Sequence, residues 1–202
     1  MPQRTIADFW FDPVCPWAWI TSRWMREVEK VRPVDTRWHV MSLSMLNAGR
    51  DLSEDYARRM DEARGVVRVC TAAAAKYGEE VLGDLYTAQG TLFHVEQRPK
   101  DRETLVAALD MAQLPVELAD AVDDPSFDEP LERSHHQAMA KVGTDVGTPV
   151  ISVGEVAFFG PVVTPAPQGE AAGTLWDGVL AVARTDGFFE LKRSRDRKPQ
   201  VV

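Results

Sequence analysis

Cysteine is scarce in this chain: Cys15 and Cys70 are the only two in 202 residues. They sit in different kinds of segment, which excludes a disulfide framework and points to a reducing cytoplasm. No apolar stretch approaches the length of a membrane span, so no membrane is expected as a partner. Met1-Pro2-Gln3-Arg4-Thr5 runs straight into a strand pattern, so no signal peptide is expected either. Positive charge is also short. The 23 Lys and Arg stand against 31 Asp and Glu, for a net charge of -8, and phosphate binding needs a basic surface, so nucleic acid is excluded as a main partner. No Gly-rich dinucleotide loop follows the first strand and no phosphate loop is present, which argues against a tightly bound cofactor. The nearest Ser/His/Asp arrangement has no strained turn to support it. Two of the four histidines, His135 and His136, are adjacent on a helix. Their side chains point about 100° apart and cannot chelate as an i, i+4 pair would, so no metal is expected.

What is present is ordinary globular chemistry, 45% hydrophobic and 27% charged. The length allows one sizeable core, or one domain with an insertion. Thr5 to Phe11 is a short, mostly apolar strand candidate. Trp17, Ile20, Trp24, Val28 and Val31 recur at helical spacing over 17–32, and Pro33 stops that helix. Val34 to Leu43 alternates like a strand, and a helix of this length between two strands makes a right-handed parallel βαβ unit.

Residues 51–143 show no strand pattern. Ser53 is a plausible N-cap for a long helix ending near Tyr77-Gly78, and further helices are expected near 79–93, 101–112, 115–122 and 128–142. Strands return with Thr148 to Val153 and Val156 to Gly160 around Gly154-Glu155, which reads as a hairpin. A final amphipathic helix runs from Gly169 to Arg184. The basic residues Lys192 to Lys198 read as a solvated tail or a return over the surface. The chain thus divides into 1–50 with 144–202, and an all-helical segment 51–143 inserted between them.

Cys15 carries the chemical signal. It lies in Phe11-Asp12-Pro13-Val14-Cys15-Pro16-Trp17-Ala18, where the first strand ends and a helix begins. Unpaired N–H groups and the positive dipole end are expected there to favour a thiolate and lower the thiol's pKa. Pro16 suits the first helical turn, where its missing N–H costs nothing. Cys70 lies among Val66, Val67 and Val69 on an apolar face and reads as buried and inert.

These blocks resemble the DsbA-type thioredoxin-fold family, and more closely its actinobacterial mycothiol-dependent nitroreductase branch. The matching stretches are Ala7 to Pro13, Cys15-Pro16-Trp17, Trp19 to Trp24, His39 to Leu43, Arg133 to His136, Val146 to Pro149, Val156 to Pro161 and Phe188 to Arg193. The resemblance implies an α/β thioredoxin-like fold with a helical insertion as a lid, and mycothiol as a low-molecular-weight thiol co-substrate. It implies a cis peptide bond at Thr148-Pro149 facing Cys15, and makes Trp17 an aromatic wall for a flat substrate. It also exposes a departure, because Ala18 stands where the family carries its second cysteine. Ala18 is compatible with a natural monothiol protein and with a substitution that traps an intermediate.

Three functions follow for a single nucleophilic thiol. A mycothiol-linked reductase or transferase would attack a mixed disulfide or an oxidised small molecule at Cys15 and be resolved by a second mycothiol. A cis–trans isomerase would add the thiolate reversibly to a conjugated alkene. A binding protein would keep the fold without turnover. The first two need a cleft for a mainly apolar small molecule, walled by Pro16, Trp17, Ala18, Thr148 and Pro149. Asn47 and Tyr56 are candidates to line it, each with a cap or surface role as the alternative. His94 is a further candidate, with a core or surface place as its alternative.

Overall fold

The computed structural model describes residues 4–51 and 53–201. Met1 to Gln3, on which the expectation about a signal peptide rests, lie outside the described residues. The sheet has four strands in the order β2-β1-β3-β4, with β1 at Thr5–Phe11, β2 at Val34–Val40, β3 at Val150–Val153 and β4 at Val156–Phe159. β1 pairs parallel with β2, from Thr5 opposite Val34 to Phe11 opposite Val40. β3 runs antiparallel to β1, with Trp10 opposite Val150, and forms the expected hairpin with β4.

Successive β1 side chains point to opposite faces. Ala7, Phe9 and Phe11 join the main core with Trp19, Trp24 and Val28 of α1 (Pro16–Val31). Trp10 faces the other way, into a smaller cluster with Met41, Ala138, Met139 and Val150. α1 is held against α7 (Gly169–Ala183) by Trp24, whose Nε1 donates to the Ala172 carbonyl at 3.0 Å. Arg32 just after α1 pairs with both Glu170 and Asp177 of α7.

Between β2 and β3 the chain is helical. β2 ends at Val40, three residues before the expected Leu43, because Ser42 caps a four-residue helix, α2 (Leu43–Leu46), that periodicity could not reveal. α3 (Glu54–Tyr77) starts where Ser53 Oγ accepts from the Tyr56 N–H at 3.4 Å, as its sequence foretold. It stops at Gly78, whose φ of 89° favours glycine. The helix expected over 79–93 is instead three pieces: a 3-10 turn at Glu79–Val81, α4 (Leu82–Gly90) and a π-helical turn at Thr91–Val95. α5 (Arg102–Met111) follows, capped by Asp101. The stretch near 115–122 is a 3-10 helix, Val116–Asp123, rather than an α-helix. α6 (Asp128–Val142) closes the block, and Arg68 of α3 grips Asp128 with two bonds of 2.7 and 2.9 Å.

This block shares its core with the sheet. Val66, Val69 and Cys70 of α3 and Leu85 of α4 belong to the same cluster as Phe9 and Trp19. Tyr86 of α4 stacks on Phe11 with ring centroids 3.9 Å apart. Such sharing means that the helices at the end of the sheet are positioned by the sheet itself. Gly90 marks the tightest approach, since a Cβ there would lie 2.1 Å from the buried Trp19 ring.

Gly90→Ala is therefore expected to destabilise the protein by about 2 kcal/mol or more, the scale of an overpacked core. Helix propensity alone would have favoured alanine by up to about 1 kcal/mol. Urea denaturation of the purified variant checks the sign.

Candidate active site

The C-terminal ends of β1 and β2 and the start of β3 meet at one end of the sheet, where crevices in open α/β sheets commonly take ligands. Cys15 sits there as the N-cap of α1. The loop that presents it is fixed from two sides. Asp12, wholly buried, accepts from the Val14 N–H at 3.0 Å and from the Leu43 N–H at 2.7 Å, joining the loop to α2. From the opposite side His94 Nε2–H donates to the Pro13 carbonyl at 2.8 Å, its ring stacked 5.9 Å from that of Trp19.

The Cys15 sulfur accepts from the Ala18 N–H at 3.5 Å and its S–H points to the Thr148 carbonyl at 3.7 Å. The Thr148-Pro149 bond is cis, as the resemblance implied, and cis bonds at Gly160-Pro161 and Thr164-Pro165 accompany it. Thr148 is buried, its hydroxyl donating to the Trp10 carbonyl at 3.4 Å. Thus Cys15, Thr148 and Pro149 come together, with the half-buried Pro16 and Trp17 beside them. Ala18 is sealed in the core and contributes its N–H.

The sulfur's electrostatics correct the expectation of a lowered pKa. Cys15 is 7% exposed, and burial pushes its thiol up to about 11, outweighing the Ala18 and Trp17 N–H groups that favour the thiolate. The nearby Asp12 carboxylate adds to the rise, while the Arg195 guanidinium works against it. Burial also raises Asp12 itself to about 6, against its two backbone donors. Cys70 is fully buried, donates to Gln89 Oε1 at 3.1 Å and is pushed up to about 12 by that burial.

The remaining candidates stand apart from the sulfur. His94 is buried behind the Cys15 loop and holds Pro13 rather than facing a cleft. Asn47 ends α2, its side-chain amide donating to the Leu43 carbonyl at 2.8 Å. It also lines a broad groove of about 770 Å³ with Arg50, Asp61, Arg64, Glu132 and His135, a more polar wall than the apolar cleft expected. Tyr56 is exposed on the first turn of α3 and does not line that groove. Sequence reasoning passed over Asp12, although an Asp-Pro pair at a strand end signals a side-chain-bonded turn. It had no signal for Arg195, whose guanidinium lies 5.2 Å from the centre of the Trp17 ring.

Comparison with known proteins bears on the family and the fold. A family model described as Rv2466c-like, mycothiol-dependent nitroreductase Rv2466c, matches residues 14–193. The uncharacterized protein Rv2286c of Mycobacterium tuberculosis is 28% identical over 193 residues, spanning 95% of this chain and 83% of that one. Among solved structures, a probable DsbA oxidoreductase from Streptomyces coelicolor aligns with TM-score 0.59 at 17% identity, covering 96% and 95% of the two chains. A 2-hydroxychromene-2-carboxylate isomerase aligns with TM-score 0.60 at 15% identity, covering 89% and 95%. The fold is thus the DsbA-like thioredoxin arrangement, with its helices between β2 and β3.

The buried imidazoles make stability pH-dependent. Burial lowers His94 to about 4 and His135 likewise to about 4. The unfolded chain binds a proton at each below about 6.5, whereas the folded one refuses it down to about 4. The stability associated with each is therefore complete above about 6.5 and lost as pH falls through that window. Asp12 acts in reverse, because its raised carboxyl makes the folded state the better proton acceptor between about 4 and 6. His39, raised despite its burial by its bonds to Glu79 and Asp8, acts with Asp12. Asp128, held down by Arg68, acts with the two buried histidines. The two large histidine shifts prevail, so acidification destabilises. For His94→Leu, urea denaturation across pH 4–7 should show a lower ceiling and a shallower slope, by up to about 1.4 kcal/mol per pH unit. An unchanged slope would contradict the neutral state of His94.

Proposed function

The chain belongs to the Rv2466c-like family of mycothiol-dependent nitroreductases, and we propose that it is a thiol oxidoreductase that works through one protein thiol, Cys15, with mycothiol as its co-substrate. The observation that carries this reading is the setting of the sulfur, with the Ala18 N–H 3.5 Å on one side and the Thr148 carbonyl at the cis proline 3.7 Å on the other. The extended backbone at Thr148-Pro149 is the edge along which a bound thiol or disulfide would lie. Trp17 walls the same opening. Cys70, sealed in the main core, supplies no resolving thiol.

The cycle then has two exchanges. The Cys15 thiolate attacks a mixed disulfide between mycothiol and a small-molecule thiol, forming a Cys15–mycothiol disulfide and releasing the substrate as its thiolate. A second mycothiol thiolate attacks that disulfide, releasing oxidised mycothiol dimer and restoring the Cys15 thiolate. One substrate disulfide is reduced by two electrons while two mycothiol sulfurs end joined. Thiolate chemistry of this kind needs the proton off sulfur, so with the thiol near 11 the rate should rise with pH through neutrality. The helices of 51–143 act here as a fixed cover rather than a moving lid, because they share the main core with the sheet.

A second reading is an isomerase that adds the Cys15 thiolate reversibly to a conjugated alkene. The sealing of Cys70 favours it, since addition and elimination need no second thiol. Intact-protein mass spectrometry after incubation with oxidised mycothiol separates the two. A mycothiol adduct on Cys15 that reductant removes supports the exchange cycle. Absence of the adduct, with alkene isomers interconverting and no reductant consumed, supports the isomerase. Under either reading Cys15→Ser is expected to lower turnover at least a hundredfold with an unchanged circular dichroism spectrum, and full activity in that variant would overturn both.

A further inference from the structure

After α7 the described residues 184–201 form neither helix nor strand. The segment is nonetheless seated. The Gln200 N–H donates to Thr164 Oγ1 at 2.7 Å, and Val201 packs against the main core. Gln200 also lines a groove of about 300 Å³ with Ile20, Arg23, Glu27 and Lys30 of α1. Five residues earlier, the Arg195 guanidinium lies 5.2 Å from the centre of the Trp17 ring, a distance at which the ring face attracts a cation. The segment therefore runs along α1 and lays Arg195 over its first turn, two residues from the sulfur's own position. Among the described residues Arg195 forms no ion pair, the adjacent Asp196 pairing with Arg197 instead.

The sulfur needs such a charge. Burial opposes its ionisation, and so does Asp12 in the loop beneath it. Tyr86 of α4, which also interacts with the sulfur, is held neutral by its own burial, as is His94 behind the loop. Arg195 is the cation whose field reaches Cys15 and favours the thiolate. It is solvent-exposed, so its effect is open to screening.

We propose that Arg195 is a positioning residue of the thiol site: carried on the C-terminal segment and stacked on Trp17, it supplies a positive charge that makes Cys15 easier to ionise. The inference rests on Cys15 being the reactive thiol, and reading its ionisation directly keeps the two claims separable.

The test is the rate of Cys15 alkylation by iodoacetamide from about pH 7 to 12, a range that contains the midpoint of a thiol pushed up to about 11, followed by peptide mapping of the full-length protein. Arg195→Gln should move the profile to higher pH and slow alkylation at pH 8 by about threefold, the effect of roughly half a pKa unit on the thiolate fraction. Arg195→Lys should restore most of the wild-type rate at pH 8. Raising salt to about 0.5 M, which shortens the screening length to a few ångströms, should move wild type towards Arg195→Gln. A merely structural contact would change the accessibility of the sulfur, and so the rate at every pH, without moving the profile. An unmoved midpoint in Arg195→Gln overturns the proposal, whether its rates are unchanged, uniformly faster or uniformly slower. Normal turnover by Cys15→Ser, with the alkylation shift intact, would overturn the nucleophile assignment alone.

Discussion

A buried sulfur at the end of a helix sets the terms for the rest of this site. Raising the Cys15 thiol to about 11 from its ordinary value near 8.5 represents roughly 3 kcal/mol against the thiolate. That balance is what remains after the Ala18 and Trp17 N–H groups of the first turn of α1 have favoured the thiolate, so burial outweighs them and the turn reduces the penalty without reversing it. The thiol is therefore the form that this structure favours at neutral pH.

That balance requires a loop that cannot relax. Asp12 and His94 hold it from opposite sides, one accepting backbone N–H groups of Val14 and Leu43, the other donating to the Pro13 carbonyl. Both are buried and both carry displaced pKa values for that reason. A charged form of His94 would have to be buried beside Trp19. The neutral ring is thus the one that fits, and it keeps a donor on the loop without placing a cation behind the sulfur.

The helical block is tied to this geometry by shared packing. Tyr86 stacks on Phe11, the last residue of β1, and Trp19 fits over the missing side chain of Gly90. On the other face Ser134 of α6 donates to the Val40 carbonyl at 2.6 Å, and His135 accepts from the Ser42 N–H. The helices that border the polar groove are therefore anchored to the ends of β1 and β2. A lid that opened by moving the whole block would have to break the main core, so the parts free to move are loops and the C-terminal segment.

Much of this was legible from residue order. The period-two pattern of β1, the helical spacing of Trp17, Ile20, Trp24 and Val28, the Ser53 cap and the Gly154-Glu155 turn all act over a few residues, and local rules read them. The cysteine at a strand-to-helix junction was equally local. What escaped was what depends on distant partners. α2 is too short for a period, the helix expected over 79–93 breaks where Trp19 meets Gly90, and Asn47 and Tyr56 face different surroundings although both lie near one loop. By itself the sequence determined the main element order and a cysteine at the strand-to-helix junction, because each is written in adjacent residues, whereas the cis bond at Thr148-Pro149 was implied only by the family resemblance. Only the tertiary structure decided that the sulfur is buried, that its pKa rises, and that a guanidinium 180 residues away in the chain stacks on the tryptophan beside it. Desolvation and long-range charge depend on which surfaces meet, and local sequence pattern does not specify that.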